Sequence, residues 1–268
     1  MLLAIRGISP DLPHGFDQRF LVLQTQGFLV PFVWGFSAKW LPVFLGLRPV
    51  RGRILFVAVA LNSSGVLAAL VGWMIAAVLL LLAGMVTAIC ALRLFERPQC
   101  PAKIKGVHPS FPIFIRMAYI WGAIAALLGT WAASVENSYG IWGASRHALT
   151  VGFLGMMVFA VGQRILPAFS GMRLLFSTKL MFVALLLLAV GCLMRVSSEI
   201  LAYQGFTSSA WSWLPISAFT EMAAVTIFAV NLLMHLHGVP HTHRCKRRSI
   251  CNLRNGREGR RSETQDRL

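Results

Sequence analysis

The chain has 268 residues, of which 57% belong to the set AVILMFWYC and 13% are charged, and its mean hydropathy is +0.69. Ordinary soluble domains are about 45–50% apolar and about 25% charged, so this composition excludes a soluble enzyme, a disordered regulator and a disulfide-stapled secreted domain. The net charge of +16 does not indicate a nucleic-acid partner, because the Lys and Arg residues lie in short connectors and in the C-terminal tail. The composition therefore predicts an integral membrane protein whose main partner is the lipid bilayer.

The apolar runs set the number of membrane crossings. A helix needs about 20 mostly apolar residues to cross the hydrocarbon layer. The run 54–92 has no charged residue and is long enough for two crossings, with a turn near Gly72-Trp73. The sequence thus predicts an all-α, polytopic bundle of seven spans: 20–41, two within 54–92, 111–133, 147–166, 180–203 and 211–236. The corresponding organisation is an outer segment 1–19, a transmembrane domain 20–237 and a basic, disordered cytoplasmic tail 238–268.

The distribution of positive charge predicts the orientation. Most Lys and Arg residues fall in the tail and in the connectors that share its side of the membrane, which places the C-terminus inside and the N-terminus outside. Tryptophans gather at the opposite interface, where an amphipathic ring is favoured: Trp73, Trp131, Trp142, Trp211 and Trp213. We therefore expect a multi-pass protein of the bacterial inner membrane with a cytoplasmic C-terminus. The end of the bundle at which the first span begins is called the predicted outer end below.

Two segments of the chain resemble each other. Residues 27–48 and 152–173 align without a gap at an offset of 125 residues, and nine of the 22 positions are identical. The offset spans four helices, so both copies cross in the same direction and the predicted repeat is parallel. In each copy a Pro is expected to end the helix, and Lys39 and Arg164 approach the inner interface. These two cations either extend to the inner head groups or share an inner-face salt bridge or anion site.

Ionisable residues inside the spans are few, and each needs a partner or water. His147 is expected to open the fifth span at its outer end, Arg195 and Glu199 are one turn apart on the sixth, and Glu221 lies about two turns into the seventh. These four residues could form one buried or cavity-lining cluster. Alternatively, Arg195 and Glu199 pair only with each other and His147 lies among the head groups. Glu221 has no basic residue at i±3 or i±4, so its partner must come from another helix.

A second set of candidate ligands lies where the last span meets the cytoplasm. Two H-x-H pairs flank a Gly-Val-Pro turn and could offer imidazoles to copper or zinc: His235, His237, His241 and His243. The alternative interpretation is a solvated, basic tail that contacts anionic lipid.

The stretch from Arg146 to Phe153, R-H-A-L-T-V-G-F, continues to Gln163-Arg164 and to the G-M-R run that ends the second repeat copy. It resembles the NnrS family of polytopic membrane proteins, which are associated with the bacterial response to nitric oxide and described as containing haem and copper. The resemblance implies that His147 is an axial-ligand candidate, with Arg195, Glu199 and Glu221 around the cofactor or its propionates. Since members of that family are usually longer, we expect this chain to be a short or N-terminally truncated member.

The sequence leaves three functions open. The first is a haem- or copper-associated protein of the nitric-oxide response, with a second His ligand absent from the spans at that depth, so that the sixth position is open or filled by another subunit. The second is a small-solute or ion transporter, since parallel repeats and an intramembrane carboxylate suit transport. The third is a non-catalytic partner subunit in a homo-oligomer or larger membrane complex. No motif of a conventional enzyme occurs: there is no P-loop, nucleophile elbow, CxxC pair or HExxH.

Overall fold

The computed structural model describes residues 19–99, 101, 107–135, 138–169, 177–205 and 207–237, and for residues 139, 166–169 and 235–237 it describes the backbone alone. In these ranges all regular secondary structure is helical, and seven helices are long and apolar enough to cross a membrane. In chain order they are α1 (Arg19–Leu45), α2 (Gly52–Val71), α3 (Met74–Leu92), α4 (Phe111–Ser134), α5 (139–169), α6 (Thr178–Tyr203) and α7 (Ala210–His237). The predicted helical class and the seven candidate spans are confirmed.

Helices α2 and α3 form the tight hairpin that the uncharged run predicts. Gly72 ends α2 with a φ of 100°, a left-handed conformation that glycine adopts at little cost, and its N–H donates to the carbonyl of Ala68 at 3.1 Å. The two helices then pack closely through small residues. A Cβ atom on Gly84 would lie 3.2 Å from the backbone oxygen of Ala58. Such close backbone approach is how apolar helices associate in a bilayer, where the hydrophobic effect gives little drive.

The expectation that Pro42 ends the first span is wrong. The α-helical part of α1 runs from Val30 to Leu45 with Pro42 inside it. A proline removes one hydrogen bond to the preceding turn but leaves its own carbonyl free, and this carbonyl accepts from the N–H groups of Gly46 and Leu47. The helix ends one turn later because Gly46 takes a left-handed conformation, with a φ of 65°. The backbone of the equivalent Pro167 also lies within a helix, which continues to Phe169.

The fifth span begins earlier than the sequence predicts. Helix α5 starts at Tyr139 instead of His147, because Gly140 and Gly143 let its first turns pack closely against α6. A Cβ atom on Gly140 would overlap the side chain of Tyr203, and one on Gly143 would overlap the carboxylate of Glu199. His147 therefore lies about two turns inside the helix and not at its end.

Both α1 and α5 contain a π-helical segment. The segment of α1 is Leu23–Leu29 and that of α5 is Ala148–Gly155, so the two begin 125 residues apart, which is the offset of the predicted repeat. π-Helical turns within α-helices are rare and frequently lie at functional sites. The coincidence supports the repeat, which stays a prediction, as does the side of the membrane that each end faces.

The bundle core lies around α4, whereas α7 is the least buried of the seven helices. In the core, the Tyr119 hydroxyl donates to Ser37 on α1 at 2.6 Å, and both side chains are fully buried. Polar contacts contribute much of the attachment of α7. The side-chain amide of Asn231 exchanges two hydrogen bonds of 3.0 Å with the backbone of Ser177, which precedes α6. A hydrogen-bonded attachment of this kind is effective in lipid, since no water competes for the groups.

Candidate functional site

The central contact of the site joins α5 to α7. His147 Nε2 lies 2.7 Å from Glu221 Oε1, and the side chains are 22% and 16% exposed. The partner that Glu221 requires is thus on another helix, as the sequence predicts. The imidazole is held by the carboxylate in one orientation. Its other ring nitrogen, Nδ1, has no hydrogen-bond partner among the described residues.

A glycine on α6 allows Glu221 to reach across the bundle. A Cβ atom at Gly191 would lie 2.6 Å from Glu221 Cγ and 3.3 Å from its backbone nitrogen. Any larger side chain at this position would displace the stem of the carboxylate. Cys192, which follows Gly191 on α6, is fully buried near the same carboxylate. The apolar run of α6 contains Gly191, but only the packed structure shows what it accommodates.

The second ion pair lies on α6 itself. Arg195 Nε is 3.7 Å from Glu199 Oε2, a longer contact than the one between His147 and Glu221, and no hydrogen bond satisfies Arg195 Nε. The carboxylate of Glu199 rests on the bare Cα of Gly143 in α5 and lies within electrostatic reach of Arg195, His147 and Arg146.

The two pairs form one site on three helices. Glu199 connects them, because its carboxylate contacts Gly143 on α5 and lies within electrostatic reach of both His147 and Arg195. The structure therefore brings together the four residues that the sequence analysis selected. It also adds Gly143 and Gly191, which the sequence analysis did not select. Arg146 was also missed as a site residue because its charge was assigned to a connector. A sequence signal for the glycines does exist: each is in a helix that also carries an intramembrane ionisable group.

The remaining candidate ligands do not join this site within the described residues. The structure gives only the backbone of His235 and His237 at the end of α7, and His241 and His243 lie outside the described residues. Near the predicted inner end of the bundle, Arg164 lies over the ring of Phe44, with 4.2 Å to its centroid. Lys39 lies over the ring of Trp40, at 5.5 Å. Cation–π contacts of this kind hold the two cations at the bundle surface.

The donor set bears on the metal hypothesis. In the part of the chain that the structure describes, no three His, Cys, Asp or Glu side chains converge as they would around a protein-ligated metal ion. A haem iron needs only one axial ligand from the protein, and a histidine whose second ring nitrogen is bonded to a carboxylate is the usual form of such a ligand. Among the described residues, His147 could therefore serve as the single protein ligand of a haem, while no group of three side chains is placed to hold a copper ion.

The fold and this polar site define a multi-pass, all-helical membrane protein. No known family model, curated protein or solved structure matches the chain significantly. The H-A-L-T-V-G stretch occupies the start of the π segment of α5 and the residue before it.

Proposed function

We propose that this chain is a membrane protein of the bacterial response to nitric oxide, similar to the NnrS family. We further propose that the cluster of His147, Arg195, Glu199 and Glu221, near the predicted outer end, holds haem through His147. The observation that carries the proposal is the 2.7 Å contact between His147 Nε2 and Glu221 Oε1, which leaves Nδ1 as the candidate ligand atom. A carboxylate on the far nitrogen fixes the ring orientation and raises the basicity of the ligating atom. When bound, haem iron supplies a coordination position at which a diatomic molecule can bind.

The other three residues have distinct roles in this proposal. Glu221 orients the imidazole. Arg195, whose side chain is 32% exposed, presents a cation that suits a propionate, and Glu199 holds that cation from one turn further along α6. Gly143 and Gly191 set the depth at which the two carboxylates lie.

Absorption spectroscopy of the detergent-purified protein, reconstituted with haem, tests the proposal. We expect a Soret band that is lost in His147→Ala and shifted in Glu221→Gln, because the first change removes the ligand and the second weakens its orienting bond. His108→Ala is the matched control, since His108 Nδ1 is bonded to Ser110 and its ring packs on Phe182, away from the site. A Soret band of equal intensity in His147→Ala, or the absence of stoichiometric haem in the wild type, contradicts the proposal.

Proton-coupled transport is the second candidate. The observation that favours it is that the His147–Glu221 bond joins two membrane-spanning helices, and His–carboxylate pairs inside a bundle commonly serve as proton relays. A proton-driven solute flux in proteoliposomes that is lost in Glu221→Gln, in a preparation without haem, would favour this function over the first. A partner subunit would show neither haem nor flux.

A further inference from the structure

A cavity separate from the His147 cluster lies between α1, α2, α3, α4 and α5 near the predicted outer end. Its volume is about 100 Å³, enough for several water molecules or one small organic molecule. Alanine, leucine and valine side chains form most of its wall. Arg146 is the one charged residue among the described residues that line it.

Arg146 reaches this cavity with an unsatisfied donor. Its Nη2 atom is buried and has no hydrogen-bond partner. A guanidinium stays charged at any physiological pH, and a buried, unpaired hydrogen-bond donor is costly, so the atom needs an acceptor. Glu199 lies within electrostatic reach of Arg146 but makes no hydrogen bond to its Nη2 atom, and Glu199 does not line the cavity. Arg146 therefore lines the cavity, whereas its sequence neighbour His147 bonds to Glu221 on α7.

The hydroxyl groups of the wall cannot act as further donors. Thr25 Oγ1 and Thr150 Oγ1 each donate to the carbonyl four residues earlier, at 2.7 and 2.8 Å, and Ser145 Oγ donates to the carbonyl of Ala125 at 2.8 Å. Because these protons are already used, and Gln26 and Trp142 are the other polar side chains of the wall, the cavity offers one cationic donor in a mostly apolar lining. Such a wall suits a ligand with a single negative head group and a short hydrocarbon body.

The cavity also lies where a site is expected from the helix geometry. The π segments of α1 and α5 border it, through Thr25 in the first and Thr150 in the second. These two residues are 125 apart, so the cavity lies between corresponding parts of the predicted repeat. Binding sites of repeat-built membrane proteins are typically at the interface between the copies.

We propose that this cavity binds a small monovalent carboxylate, whose head group accepts a hydrogen bond from Arg146 Nη2 and whose short alkyl chain lies against the apolar wall. The proposal does not depend on haem binding, because none of the four cluster residues lines the cavity.

Thermal unfolding of the detergent-purified full chain tests the proposal, with sodium propionate as the probe and propionamide as its neutral isostere. Ionic strength is kept constant with sodium gluconate, whose hydroxylated chain does not match the mostly apolar wall. We expect propionate to raise Tm of the wild type by a few degrees. Once the site is saturated, Tm should rise with the logarithm of the propionate concentration. Propionamide should have no comparable effect.

Two variants and one control make the result specific. Arg146→Gln removes the charge, and Ala126→Leu fills the cavity while leaving Arg146 intact, so each should abolish the propionate effect. Arg116→Gln is the matched control, because Arg116 donates to the carbonyl of Leu94 and does not line the cavity. If Arg146→Gln does not fold, Ala126→Leu decides alone. Equal shifts with propionamide, a shift that persists in Ala126→Leu, or no saturable shift in the wild type would each overturn the proposal.

Discussion

Helices α1 and α5 have the same backbone plan but carry different chemistry. Each has a π segment near the predicted outer end, and in each a threonine of that segment bonds back to the carbonyl four residues earlier. At the positions before that threonine, α5 has Arg146 and His147, whereas the corresponding positions of α1, at the same offset, are Leu21 and Val22. The distorted backbone therefore does not require ionisable residues. The apolar positions of α1 accompany the same backbone distortion. We therefore assign function to the ionisable side chains of α5 and not to the distortion itself.

A pair of equivalent glycines gives the largest expected difference between the two helices. Gly27 and Gly152 are identical positions of the predicted repeat, but a Cβ atom at Gly152 would lie 2.7 Å from Trp121 Cγ, whereas one at Gly27 would lie 3.3 Å from the flexible end of Leu23. Trp121 is buried and its near atoms cannot move aside. We expect Gly152→Ala to lower the free energy of unfolding by about 1–3 kcal/mol. The measurement is SDS titration in mixed micelles.

Gly27→Ala is the matched control for this comparison. Alanine favours a helix over glycine by about 0.8–1.0 kcal/mol in soluble peptides, and the site has room for it, so the variant should be neutral or slightly more stable. If both substitutions cost the same, the close packing of α5 on α4 at Gly152 is not the reason for the glycine.

The two ion pairs of the site should differ in strength. The His147–Glu221 pair is shorter, joins two helices and is mostly buried, so a double-mutant cycle with His147→Ala and Glu221→Gln should give a coupling of about 1–2 kcal/mol. The Arg195–Glu199 pair spans 3.7 Å on a single helix, and its coupling should be about 0.3–0.5 kcal/mol, as for other i, i+4 pairs. Equal couplings would mean that Glu199, which connects the pairs, distributes the energy over the whole cluster.

The sequence predicted the helices better than the contacts between them. Apolar run lengths were enough for seven helices and for the Gly72 turn, because crossing a bilayer demands a minimum length of apolar chain. The absence of a basic neighbour on its own helix was enough to predict that the partner of Glu221 lies on another helix. The choice of His147 as its partner depends on how α5, α6 and α7 pack, and packing depends on where glycines permit close approach. The early start of α5 was missed for the same reason, since Gly140 and Gly143 look like connector residues until α6 lies against them.

The smallest expected effect concerns the feature that α1 and α5 share. Thr25→Val and Thr150→Val each remove a hydroxyl that bonds to its own helix, and such bonds contribute little net stability because they compete with the helical ladder. We expect each variant to change the free energy of unfolding by less than about 0.5 kcal/mol, and the two changes to be equal within error. A larger loss for Thr150→Val alone would show that the Thr150 hydroxyl supports Arg146, to whose carbonyl it donates. The two helices would then differ in how their backbones are stabilised as well as in their side-chain chemistry.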